Sequence, residues 1–152
     1  MKNIFLYTII FSIQFFSTNL LSQTKQFEGE WIKYNTTYVF EFDLLLKHKE
    51  SDLVEGYFIW KVVRYDEGSL MSKKHYENKL GTTGKEFLKG NYNPNTQEYT
   101  LKGFKKEDPN NIIGLDTYRL KVDENGDIGG TTRTSGSWQG RINGKEILVD
   151  VL

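Results

Sequence analysis

Apolar and polar residues alternate along most of the chain after residue 23. The recurring unit is a triplet of an apolar residue, any residue and glycine, as in Phe27-Glu28-Gly29 and Val54-Glu55-Gly56. Positions two apart in a β-strand lie on one face, so each triplet places an apolar residue and its glycine together. The same triplet recurs at 88–90, 101–103, 128–130 and 138–140.

Extending this alternation sorts the larger side chains by face. Trp31, Trp60 and Trp138 all lie on the glycine face, whereas the opposite face is largely charged. The segments 38–46 and 118–122 alternate in the same way without a triplet. A period of two, only two Pro residues and turn signals at intervals of about ten residues indicate an all-β chain.

The inward glycines favour a closed architecture. Glycine within a strand marks a bend or a crowded interior, and here it accompanies large inward rings. We therefore predict one domain over 24–152, an antiparallel meander of about eight strands that closes into a small barrel. A two-layer β-sandwich fits the same alternation and stays an alternative. Strands are predicted near 27–33, 37–48, 53–64, 84–92, 97–104, 116–123, 127–133, 136–142 and, more weakly, 145–151.

Charge pairing and turn residues predict local details. A hairpin of 37–48 and 53–64 is expected to set Glu41 opposite Lys61 and Lys47 opposite Glu55, because opposed charges on one face stabilise a register. The same register sets Val39 opposite Val63 outside and Phe42 opposite Trp60 inside.

Asn125-Gly126 predicts a type I′ hairpin turn. The connection 65–83 has room for a short helix, and 105–116, with Ile112, Ile113 and Leu115, predicts an ordered cap or a ligand gate.

The first 23 residues follow the plan of a secretory signal. Lys2 precedes an apolar run from Ile4 to Phe16, and a polar stretch of small residues ends at Ser22 and Gln23. The run of about 13 residues is short for a membrane span of about 20. We therefore predict that 1–23 is a cleaved signal peptide. Since the chain has no Cys, a bacterial periplasm or exterior suits it better than a eukaryotic secretory route.

Charge and cysteine content narrow the classes of function. The 20 basic and 20 acidic side chains balance, so the chain has no basic footprint for nucleic acid and no polybasic patch for a membrane surface beyond the signal segment. The absence of Cys excludes disulfides and thiol catalysis.

No pattern of residues predicts chemistry. His48 and His75 are the only histidines, and neither has a second ligand at metal spacing. Serines at 69–72 and 135–137 lack a nucleophile elbow, and 123–127 lacks the frame of a calcium loop. We therefore predict a protein that is not an enzyme and that has no metal or cofactor.

Gly29-Glu30-Trp31 resembles the Gly-x-Trp motif that opens lipocalins and avidin-like proteins. Later strands such as Gly56-Tyr57-Phe58 continue this resemblance through 24–152. The second lipocalin signature, a Thr-Asp-Tyr turn, is absent, since Leu115-Asp116-Thr117-Tyr118 does not match it. The resemblance implies a calycin-like barrel that holds a small molecule, and it assigns no ligand-binding residue.

Two functions remain open. The first is an exported binding protein that holds a small apolar or aromatic ligand among its inward aromatic residues. These predicted ligand-binding residues are Trp31, Phe42, Trp60, Tyr92, Tyr99, Tyr118 and Trp138. The alternative is an interaction module with a filled core that binds a protein partner through its outer surface, where Val39, Leu45, Tyr57, Ile59, Val63, Phe87 and Phe104 are expected. An interior cavity would distinguish the two, and the sequence leaves the oligomeric state open.

Overall fold

The computed structural model describes residues 23–134 and 139–148 as a closed β-barrel. Each strand pairs antiparallel with its neighbours in sequence, and the last strand pairs with the first. The predicted barrel is therefore confirmed, and the sandwich alternative is wrong. The elements are β1 (Thr24–Lys33), β2 (Val39–His48), β3 (Leu53–Arg64), α1 (Leu70–Tyr76), β4 (Thr83–Asn93), β5 (Glu98–Glu107), β6 (Thr117–Val122), β7 (Asp127–Arg133) and β8 (Gln139–Ile147).

The two ends of the barrel differ in their connections. The helix end carries the connections 34–38, 65–82 and 108–116, and α1 lies within the second of these. The turn end carries only the short connections 49–52, 94–97 and 123–126. The long connections thus gather at one mouth of the barrel and leave the other to tight turns.

The inner face follows the predicted alternation. Phe27 in β1, Phe58 in β3, Leu88 in β4 and Leu120 in β6 are fully buried. Residues an odd number of positions away in the same strand are mostly exposed. In β6, exposed and buried residues alternate strictly from Thr117 to Val122. Closure of the sheet removes this face from water along every strand.

The predicted register of β2 and β3 is confirmed over most of its length. Glu41 lies opposite Lys61, with 2.8 Å between Oε2 and Nζ, and Phe42 lies opposite Trp60. The prediction for Val39 is wrong, because an irregularity between Val39 and Phe40 shifts its partner to Arg64. Val39 is consequently buried and does not belong to the outer surface.

The turn between β6 and β7 lies where it was predicted, but its type differs. Asp123 N–H donates to the carbonyl of Asp127 at 2.9 Å, which leaves a loop of Glu124, Asn125 and Gly126. Only Gly126 has a positive φ, at 84°, whereas type I′ needs two such residues. The Asp123 carboxylate also accepts the N–H groups of Asn125 and Asp127, which favours this longer loop.

The predicted break before a ninth strand is also absent. Residues 139–147 form the single strand β8, and Asn143 within it pairs with Glu30 of β1 and Gly129 of β7. Backbone hydrogen bonds on both sides continue the strand through Asn143-Gly144, a dipeptide that by itself favours a turn.

Inward glycines make room for rings and for neighbouring strands. A Cβ atom on Gly140 would overlap the indole of Trp31, and one on Gly144 would lie 2.9 Å from the Phe42 ring. At Gly29, Gly56 and Gly90 a Cβ atom would instead overlap a backbone carbonyl of the adjacent strand. The glycines therefore mark both the crowded interior and the close approach of coiled strands.

Candidate functional site

A cavity of about 780 Å³ lies at the helix end of the barrel. Trp31, Trp60 and Tyr118 contribute its strand walls, while α1 and residues 111–114 contribute its outer cover. Ligand sites in proteins commonly measure about 300–1,000 Å³, so the cavity has room for a small organic molecule.

Helix α1 is held across the mouth by a cap and by ring contacts. The Ser69 hydroxyl accepts the N–H of Ser72 at 3.3 Å and begins the helix. Tyr76, in its last turn, packs edge to face on Tyr38 and Phe40, with centroids 5.6 and 6.1 Å away. The connection 65–83, expected to hold at most a short helix or a turn, thus contains the seven-residue helix α1.

Asp108 orders the second covering segment. Its carboxylate accepts the backbone N–H groups of Ile112 and Ile113, each at 2.9 Å, and lies 3.2 Å from Lys106 Nζ. Burial alone would raise the pKa of Asp108, but these hydrogen bonds and Lys106 bring it below its ordinary value. Ile112 is buried beneath the segment, and His75 of α1 bonds the Asn111 carbonyl at 2.9 Å. The predicted ordered cap thus joins α1 over the same mouth.

Glu86 is a carboxyl group buried at the floor of the cavity, with 1% of its surface exposed. Its Oε2 accepts hydrogen bonds from Trp60 Nε1, at 3.2 Å, and from the Tyr118 hydroxyl. Its Oε1 accepts the Asp116 backbone N–H at 2.9 Å. Burial raises the pKa of Glu86, while these three donors and the charge of Lys106 partly offset that effect.

Two polar atoms around the cavity lack a hydrogen-bond partner in the described part of the chain. They are Asp116 Oδ1 and Ser72 Oγ, both buried and both on residues that line the cavity. Burial and the neighbouring Glu86 raise the pKa of Asp116 to about 7. Buried polar atoms are rarely left unpaired, so a further donor or acceptor is expected here.

The structure divides the predicted ligand-binding residues between two places. Trp31, Trp60 and Tyr118 line the cavity. Phe42 lies deeper and packs on Trp60, with ring centroids 5.6 Å apart. Trp138 lies outside the described residues.

Tyr92 and Tyr99 lie at the turn end, far from the cavity along the barrel axis. The Tyr99 hydroxyl is 2.9 Å from His48 Nε2, and the Tyr92 ring meets His48 edge to face at 5.0 Å. This aromatic cluster fills its end of the interior, and the cavity lies at the opposite end.

Sequence reasoning missed the acidic floor, although the alternation contains its signal. Glu86 lies two residues before the inward Leu88, and Asp116 lies two before the inward Tyr118. Both carboxyls therefore share the parity of the core. The rule that charged strand residues face water predicts both on the outer face, and it is wrong for these two.

A larger concavity of about 990 Å³ follows the outer face of β1 and its neighbours. Charged side chains line much of it, including Glu28, Glu30, Glu41 and Asp43. Among the described residues no buried unpaired polar atom belongs to it. It is a saddle of the twisted sheet, and Phe42 is the one aromatic residue among the described residues that line it, whereas six aromatic residues line the cavity at the helix end.

Three of the apolar residues predicted on the outer face lie side by side. Leu45, Tyr57 and Phe87 follow one another across β2, β3 and β4. Lys85 Nζ lies 3.9 Å from the Tyr57 ring centroid and 5.0 Å from that of Phe87. Cation–π contact with lysine covers these rings, so the patch is less apolar than its sequence indicates.

Comparison of the chain with protein-family models, curated proteins and solved structures finds no match. Within residues 23–134 and 139–148, no group of three His, Asp or Glu side chains is placed to hold a metal ion. No helix of that part is long and apolar enough to span a membrane. The closed antiparallel barrel is compatible with a calycin-like fold, and function is inferred from the cavity.

Proposed function

We propose that this protein is a non-catalytic binding protein that holds a small aromatic or apolar molecule in the cavity at the helix end. The observation that carries the proposal is the cavity itself, about 780 Å³ in volume and placed between α1 and the barrel interior. A barrel stabilised only by a filled core would have no need of such a space, because protein interiors pack as densely as organic crystals.

The walls suit an aromatic guest. Trp31, Phe40, Trp60, Tyr76 and Tyr118 all line the cavity, and aromatic rings bind one another edge to face or offset. Trp31 and Trp60 are held in place by their indole N–H groups, which donate to Thr132 Oγ1 and Glu86 Oε2. The site is thus preorganised, which reduces the entropy lost on binding.

The signal-like first 23 residues support a place for this activity outside the cytoplasm. We propose that binding occurs in a bacterial periplasm or at the exterior, after cleavage near Ser22 or Gln23. N-terminal sequencing of the protein from its native host tests this, and an intact Met1 in the membrane fraction would contradict it.

Uptake of a neutral fluorescent probe, N-phenyl-1-naphthylamine, tests the cavity. Ser72→Phe places a ring in the cavity from α1, because Ser72 is buried against it. Lys73→Phe adds the same ring one position along the helix, where the side chain is exposed. We expect the wild type and Lys73→Phe to bind the probe. Ser72→Phe should lose most of the probe binding that the wild type shows.

The proposal fails if the wild type does not bind the probe, or if Ser72→Phe binds it as well as Lys73→Phe does. Far-ultraviolet circular dichroism of all three proteins reports whether the β-barrel is retained. A variant that has lost its sheet signal is replaced by Ser72→Leu, which fills less volume.

The second candidate function is an interaction module that uses the outer row of Leu45, Tyr57 and Phe87. The exposure of Phe104, at 50%, beside this row favours it. Phe87→Lys would then abolish capture of a protein partner and leave probe uptake intact. Loss of capture with probe uptake retained in Phe87→Lys would assign the two activities to different surfaces.

A further inference from the structure

The cavity at the helix end has an acidic floor. Among the described residues Glu86 accepts hydrogen bonds from neutral donors only, which are Trp60 Nε1, the Tyr118 hydroxyl and the backbone of Asp116. Asp116 Oδ1 has no hydrogen-bond partner in the described part of the chain. Two carboxyl groups therefore adjoin the cavity, and no basic side chain of residues 23–134 and 139–148 bonds either of them.

The basic side chains nearby are engaged elsewhere. Lys106 Nζ bonds Asp108 Oδ2 at 3.2 Å and the Ile113 carbonyl at 2.5 Å. Lys33 Nζ lies over the Tyr38 ring at 5.1 Å, and His75 bonds the Asn111 carbonyl at 2.9 Å. Since a buried carboxylate without a counter-charge is costly, the floor must either take up a proton or receive a cation from a guest.

A second observation points to a polar guest. Ser72 is 4% exposed, lines the cavity from α1, and its Oγ has no partner among the described residues. An ammonium group has three donors and can serve a carboxylate and a hydroxyl at once. The aromatic walls add to this, because cations bind to the faces of Trp and Tyr within about 6 Å of the ring.

We infer that the ligand of this cavity is an aromatic or apolar amine, whose protonated nitrogen bonds Asp116 beside Glu86 while its ring lies between Trp31, Trp60 and Tyr118. The inference rests on the proposed binding function and names the chemical class of its ligand. A neutral ligand would leave Asp116 and Glu86 without a bonded cation in the described part of the chain, and a carboxylate ligand would be repelled by them.

Three molecules that differ in one group test this inference by titration calorimetry. They are 2-(1-naphthyl)ethylamine, 2-(1-naphthyl)ethanol and 1-naphthaleneacetate. At pH 8 we expect the amine to bind about tenfold more tightly than the alcohol, as a charge-assisted hydrogen bond in a buried site would give. The acetate is expected to bind most weakly of the three.

The dependence on pH identifies the group responsible. Other titratable and charged groups that line or adjoin the cavity are Glu86 on β4, Tyr118 on β6, His75 and Tyr76 on α1, Lys79 after α1, Lys106 and Asp108 at the end of β5, and Lys33 on β1. Protonation of Asp116 at pH 5 should reduce the ratio of amine to alcohol affinity, and Asp116→Asn should reduce it at pH 8 to within about threefold. His75→Gln should keep the pH dependence, because the inference assigns it to Asp116 and not to the neighbouring imidazole.

The outcomes distinguish failure of the amine inference from failure of the proposed binding function. If the alcohol and the amine bind equally, the cavity is a binding site and the amine inference is wrong. If the acetate binds best, or Asp116→Asn keeps a tenfold preference while folded, the inference is also wrong. If none of the three binds to the wild type, the proposed function itself fails.

Discussion

Gly103 of β5 leaves the space in which the carboxyl group of Glu86 lies. A Cβ atom at position 103 would overlap Glu86 Oε1 and lie 2.9 Å from its Cδ. The inward glycine on β5 thus leaves room for the buried carboxyl group of Glu86 on the adjacent strand β4. Trp31 and Gly140 repeat the arrangement with an indole in place of the carboxyl group.

This relationship predicts that Gly103→Ala destabilises the barrel by about 1–3 kcal/mol, the usual effect of overpacking a core. Urea unfolding measures the change. Gly129→Ala is the matched control, because a Cβ atom there meets nothing closer than a carbonyl oxygen at 3.7 Å. In a Glu86→Ala background the effect of Gly103→Ala should largely disappear, and equal losses in both backgrounds would contradict the assigned contact.

Stability should fall as pH rises through the range in which Asp116 ionises. The pKa of Asp116 is raised from 3.8 to about 7 in the fold, by burial and by Glu86. The folded protein therefore binds more protons than the unfolded chain between these values, and the free energy of unfolding decreases with pH across them. Thermal unfolding between pH 4.5 and pH 8 measures this decrease.

His48 acts in the opposite direction, so the comparison needs a variant. Burial, with a smaller effect of Lys25, lowers the pKa of His48 from 6.5, so this group favours the folded state as pH rises towards 6.5. Both proteins share that contribution, so the difference between wild type and Asp116→Asn reports Asp116 together with its coupling to Glu86. We expect the variant to gain stability relative to wild type as pH increases, and a constant difference would contradict the raised pKa.

The predicted aromatic set should separate by position in the barrel. Trp60 lines the cavity at the helix end, whereas Tyr92 lies in the cluster with His48 at the turn end. Trp60→Ala should abolish uptake of the apolar probe. Tyr92→Ala should leave probe uptake within about twofold of the wild type, since Tyr92 is not among the residues that line the cavity. Equal loss in both variants, with the sheet signal retained, would show that the probe binds elsewhere.

The outer face of β1 carries an unfavourable pair that can be reversed. Glu30 lies directly opposite Glu41 on β2, and like charges in this position destabilise a sheet. Glu30→Lys should raise the free energy of unfolding by about 0.2–1 kcal/mol at low salt. Glu30→Gln should give a smaller gain, and 1 M NaCl should reduce the difference between the two variants.

Much of the barrel could be predicted from the alternation of residue types. Charged residues at one parity and rings with glycines at the other identify strands and their faces, because the side-chain period of a strand is two. The pairing of Glu41 with Lys61 and of Phe42 with Trp60 followed from charge and size on each face. At the level of single residues the same rule missed Glu86 and Asp116, whose charge concealed their inward parity.

What the sequence alone determined is where most strands lie and which positions within a strand share a face, since that depends only on local backbone geometry. The tertiary structure decided three further features: closure into a barrel, the position of Val39 and the division of the aromatics between two ends. These depend on which strand ends meet and on how far along the barrel axis each side chain lies. The acidic floor belongs to the same class, because Glu86, Asp116, Tyr118 and Gly103 come from separate segments that only the closed sheet and its cap bring together.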